Sequence, residues 1–142
     1  MAESKWWGLP SPSLADLEDM ARRAFAALPG HFRALCGDVV VRVEDFADEE
    51  LLAEMGVEDP FELSGLYQGV DLTQQSHADS LTMPSMVTLY RRPLLDEWAE
   101  GEMTLGALVT HVIVHEIGHH FGLSDDDMEA IETKAEREAG PG

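Results

Sequence analysis

His115, Glu116 and His119 stand in the spacing H-E-x-x-H, and the run continues to a glycine at Gly122 and a carboxylate at Asp125. On an α-helix, residues four apart differ by about 40° around the axis and about 6 Å along it. His115 and His119 therefore project from one face and can grip one cation between two imidazoles. Glu116 falls about 100° from His115 and about 60° from His119, which leaves it beside the ion rather than on it. From there it can take a proton from water that the cation has activated. A helix cannot bend back to offer a third donor from the same side, so the chain must break; Gly122 can take the left-handed conformation that ends a helix. Asp125 can then swing back toward the ion. Two imidazoles and one carboxylate, with a fourth position left open, suit Zn2+. Chance would produce the motif with its glycine roughly 0.002 times in a chain of this composition.

The surroundings of the motif favour a metal over a metal-free polar core. From Leu105 to Phe121 apolar residues fall all round the helix axis, the pattern of a helix enclosed by protein. His115, Glu116, His119 and His120 then cluster on that element, and burying such groups unpaired costs on the order of several kcal/mol. A cation ligated by neutral imidazoles and a carboxylate offsets that cost. Other pairings exist. His111 precedes His115 by one turn on the same face, but it lacks an adjacent glutamate and a return glycine, so it reads as a hydrogen-bonded neighbour. Glu116 and His120 are also four apart, yet pairing them leaves His119 and the Gly122 turn without a role. His120 reads either as support for Glu116 or the substrate, or as ordinary packing. His31 and His77 have no partners at ligand spacing.

The stretch from about Leu28 to Ile131 resembles the small, acidic, bacterial zincin-like metallopeptidases, built around H-E-x-G-H-H-x-G-x-x-D. The matching landmarks are Leu66-Tyr67-x-Gly69, Leu89-Tyr90-Arg91-Arg92-Pro93 and the block from His115 through Asp125. The resemblance implies an α+β, minimal zincin fold: a small mixed sheet, a buried ligand-bearing helix beneath it, and N- and C-terminal helices. It also implies His115, His119 and Asp125 as zinc ligands and Glu116 as the catalytic carboxylate. Metzincins share the glycine spacing, but most carry a third histidine where this chain has Asp125. They also have a methionine-containing turn under the metal; Met128 lies too close to Asp125 for that and reads as a core contact of the last helix. Seventeen residues follow Asp125, too few for a metzincin C-terminal wall, so a shallow or partner-completed cleft is expected.

The elements that must position this motif can be read along the chain. Residues 1–12, with Trp6, Trp7 and Pro10-Ser11-Pro12, read as an N-terminal arm, and residues 13–142 as a single domain. Ser13 caps a helix from Leu14, with Asp16 completing a capping box, and Pro29-Gly30 ends it. Asp38 to Phe46 reads as a strand whose valine run suggests burial on both faces at its start. Acidic residues 48–54 start a short helix. Leu66–Val70 and Met86–Arg91 are further strands, and Thr73–Pro84 reads as a loop. Pro93–Glu100 should be helical; Thr104 should cap the ligand helix, and Ser124 or Asp125 the last one, with Met128, Ile131 and Ala135 facing inward. Zincins pair extended peptides with a strand edge above the metal, and by that resemblance Gly65–Leu72 is the expected edge.

Composition bounds the function. The 142 residues carry 28 acidic against 9 basic side chains, a formal charge of −19. Such a surface repels nucleic acid and anionic membranes, and most of it serves solubility. No signal-peptide pattern and no apolar run of membrane-spanning length is visible, so the cytoplasm is the expected compartment. The single cysteine, Cys36, fits a reducing compartment and reads as a small buried hydrophobe. Tyr67, Tyr90, Arg91 and Arg92 read as structural residues, with stabilisation of an oxyanion as the alternative. The sequence thus points to a zinc-dependent peptidase acting on a peptide or protein substrate. A non-catalytic metal-stabilised interaction module and a zinc hydrolase of a non-peptide amide are the alternatives.

Overall fold

A computed structural model describes residues 10–69 and 84–139. Its elements are α1 (Leu14–Ala26), α2 (Gly30–Cys36), β1 (Val39–Glu44), α3 (Glu49–Met55), a 3-10 turn (Pro60–Glu62), β2 (Gly65–Gln68), β3 (Ser85–Tyr90), α4 (Arg91–Glu100), α5 (Leu105–His120) and α6 (Asp125–Ala139). Among the described residues, six α-helices and a three-stranded mixed sheet make a small α+β fold. Most of the expected arm and loop lies outside the described residues; Ser11 and Pro12 are held by Arg91, whose Nη2 and Nε donate to Ser11 Oγ at 3.0 Å and Pro12 O at 2.6 Å.

The sheet order is β1-β3-β2, with β1 parallel and β2 antiparallel to β3. Central β3 is buried along most of its length, and its alternation serves two clusters. Val87 and Leu89 join the main core with α1 and α5 residues such as Leu17, Ala21, Val109 and Ile113, while Tyr90 faces Ala47, Leu52 and Leu63. The valine run of β1 is not buried on both faces: Val41 is buried, whereas Val40 is 41% exposed. The reason is position, since β1 is an edge strand of a small sheet rather than the interior strand that an unbroken apolar run suggests.

Local chemistry explains where the helices begin. Ser13 Oγ accepts from Asp16 N and Asp16 Oδ2 accepts from Ser13 N, each at 3.0 Å, which completes the expected capping box. Asp48 caps α3 by accepting from Leu51 N at 2.8 Å. Helix α2 is an element that the sequence pattern does not announce. Pro29, read as a stop, is also the N-cap of the next helix, which buries Phe32 and Cys36. Helix α4 starts at Arg91, ahead of Pro93, because a proline in the first turn forfeits only an amide that no helical carbonyl would accept.

Gly65 sets β2 directly on α5: a Cβ there would lie 2.7 Å from Val112 Cγ1. Burial raises the Cys36 thiol to about 11, consistent with a packing role. Tyr90 and the two arginines are likewise structural: Tyr90 is buried, Arg91 also binds Asp45 Oδ1 at 3.2 Å, and Arg92 lies over the Phe46 ring.

Candidate metal centre

Helix α5 carries the expected motif and is shaped as the sequence requires. Thr104 Oγ1 accepts from Ala107 N at 3.2 Å to start it. Leu108, Val109, Val112, Ile113, Val114 and Ile117 bury its apolar sides. Its end is a Schellman turn: Leu123 N donates to Gly118 O at 2.9 Å, Gly122 N to His119 O at 3.2 Å, and Gly122 takes φ 72°. Ser124 then caps α6 by accepting from Asp127 N at 3.1 Å. The chain returns along α5, and Met128, Ile131 and Ala135 are buried against the core as expected.

The return places an acidic face of α6 beside the histidines of α5. His115 is half-buried and its ring lies 5.5 Å from that of His119, at an interplanar angle of 77°. Asp125 lines the same cleft as His115, together with His111, Glu129, Glu132 and Glu136. His119 and Asp125 are exposed at the end of this seam, and their donor atoms are not among those that cluster with His115. Among the described residues, the one group of three donors whose ligand atoms all lie within 4.8 Å of one another is His111, His115 and Glu132. His111 Nδ1 is 2.6 Å from Glu132 Oε1, and His115 Nε2 is 3.9 Å from Glu132 Oε2.

Glu132 is the functional-looking residue that the sequence did not reveal. It lies far beyond the motif, in a helix with acids on several faces, and only the packing of α6 selects the one that meets the histidines. His111 has the hydrogen-bonded role expected of it, and its partner is this carboxylate.

The electrostatics suit ligation. Burial pushes the His115 ring below its ordinary value, His111 adds to that, Glu132 pulls partway back, and His119 and Asp125 exert smaller opposing effects. The ring is therefore neutral near pH 7, the form that binds a metal. Burial holds the Glu116 carboxyl above its ordinary value, with His119 pulling it partway down. A carboxylate made more basic beside His119 is a suitable proton acceptor. Imidazoles and carboxylates at one seam form a donor set fitting a divalent borderline metal.

His120 turns the other way. Its ring packs edge-on to Tyr67 at 5.0 Å, and a Cβ on Gly69 would meet its Nε2 at 2.7 Å. The histidine that follows the motif thus touches the end of β2, not the seam.

Comparison with known families matches residues 36–135 to the zincin-like metallopeptidases. The chain belongs to that family. The match to the zincin-like metallopeptidases spans the whole sheet, α5 and most of α6. Family membership carries with it a divalent metal and peptide substrates. No curated protein matches the chain. Among the described residues no helix is long and apolar enough to cross a membrane.

Proposed function

We propose that the chain is a zinc-dependent peptidase in which His115, His119 and Asp125 hold the ion and Glu116 is the general base. The observation that carries this reading is the position of Glu116: half-buried, made more basic by that burial, and within electrostatic reach of His119. A metal site kept for stability alone has no use for such a base.

Zinc, when bound, supplies Lewis acidity, acidifying water toward a pKa of about 7 and polarising a carbonyl. The protein's own residues do the rest. Glu116 accepts the proton of the attacking water and passes it to the departing nitrogen. Asp125 and His119, both at the exposed end of the seam, would hold the ion together with His115. The substrate lies extended along β2, which pairs with β3 on one side only among the described residues. Main-chain pairing there sets the register of the scissile bond without demanding a particular side chain. His120, against Gly69, borders that edge. The compartment we assign is the cytoplasm, in keeping with a lone buried cysteine.

The test is cleavage of a diverse peptide library by zinc-loaded protein, read by mass spectrometry. Wild type should cut and Glu116→Gln should not, while both bind zinc. Absence of cleavage by the zinc-loaded wild type would remove the peptidase reading.

A further inference from the structure

A second set of metal donors lies one turn back along the seam. His111, His115 and Glu132 bring two imidazoles and a carboxylate to one point, with ligand atoms all within 4.8 Å of one another. Donors sharing a tetrahedral zinc sit about 3.3 Å apart, from bond lengths of about 2.0–2.1 Å. His111 Nδ1 lies 2.6 Å from one Glu132 oxygen and His115 Nε2 lies 3.9 Å from the other, so an ion taken between them would replace the His111 hydrogen bond and draw His115 closer.

A simple clamp between helices explains less of the geometry. Such a clamp needs one imidazole and one carboxylate oxygen, and His111 with Glu132 Oε1 already satisfies it. Yet His115 Nε2 faces the other oxygen of the same carboxylate, and the rings of His111 and His115 lie 4.0 Å apart. Asp125, Glu129 and Glu136 line the same cleft, of about 340 Å³, which would draw a cation in.

We propose that His111, His115 and Glu132 form a second zinc station that shares His115 with the His115, His119 and Asp125 set, so that one ion occupies one station at a time. Only the sharing rests on the peptidase reading; cation binding at the second station does not. The stations differ in what they can do. Around the helix axis Glu116 lies about 60° from His119 but about 140° from His111. An ion at the second station is therefore held away from the base. It is a storage or loading position, inactive until the ion moves one turn along the seam to His119.

Zinc titrated into the metal-free full chain, followed by calorimetry and by the ring nitrogen signals of His111, tests this. His119→Ala with Asp125→Ala removes two exposed side chains, and a thermal melt of the double variant checks that the fold is kept. That variant should still bind one zinc and shift the His111 signals, and adding Glu132→Gln should weaken binding by about a hundredfold. If the double variant binds zinc no more tightly than the version that also carries Glu132→Gln, the station does not exist. The variant His111→Ala with Glu132→Gln separates the two ideas. If it keeps zinc and the His119 and Asp125 variant does so too, both stations stand; if it loses zinc while the His119 and Asp125 variant keeps it, the second station stands and the first ligand set is wrong.

Discussion

Gly118 and Met128 occupy each other's space: a Cβ on Gly118 would overlap Met128 Sδ and lie 2.8 Å from its Cγ. The contact is what allows α6 to return flush against α5. Met128 is fully buried there, so it cannot move aside into solvent. The glycine inside the H-E-x-x-H motif therefore sets how closely the acids of α6 approach the histidines of α5.

Gly118→Ala should push the two helices apart. We expect a loss of about 1–3 kcal/mol by overpacking, measured by denaturant unfolding. Zinc affinity should fall as well, because the carboxylates of α6 move with their helix. Unchanged stability and affinity would show that the contact relaxes without consequence.

Glu116→Gln should abolish turnover without abolishing metal binding. Loss of a general base costs about 10²–10⁴-fold in kcat. Zinc content by elemental analysis should match wild type, because the proposed reading sets Glu116 beside the ion as a base and not among its ligands.

The pH dependence of the metal-free protein has a definite sign. His115 is lowered from its ordinary 6.5, so its contribution to stability is present above that value and disappears as the pH falls through its lowered folded value. Glu116 is raised from its ordinary 4.5, so its contribution is present below that value and is lost as the pH rises through the folded one. Metal-free Glu116→Gln should therefore melt higher than wild type at pH 7, and the difference should vanish below pH 4.5. Melting curves of both proteins across that range check it.

Gly69→Ala would set a methyl group 2.6 Å from Tyr67 Cε2 and 2.7 Å from His120 Nε2. Tyr67 is buried, with its hydroxyl bonded to Ser85, so exposed His120 must give way. We expect a stability loss of about 1 kcal/mol and a KM for peptide that rises more than kcat falls. An unchanged KM would detach the end of β2 from substrate binding.

Much of this arrangement is legible in local sequence, because local chemistry fixes it. Ser13 and Thr104 cap where their hydroxyls reach amides three residues on, and Gly122 ends α5 because the turn needs φ 72°. What escapes is set by packing. The run Val39–Val41 reads as doubly buried, but its place at a sheet edge leaves Val40 open. Pro29 ends one helix and starts another, and sequence alone registers only the first. Glu132 meets His111 across 21 positions through the docking of two helices, a contact with no local signature.

The zinc-loaded crystal, phased at the metal edge, tests the central claim most directly. We expect one anomalous peak within about 2.2 Å of the His115 and His119 ring nitrogens and an Asp125 carboxylate oxygen, with Glu116 beside it and unligated. No peak at all between His115, His119 and Asp125 in crystals held at saturating zinc, with Asp125 in solvent, would contradict it.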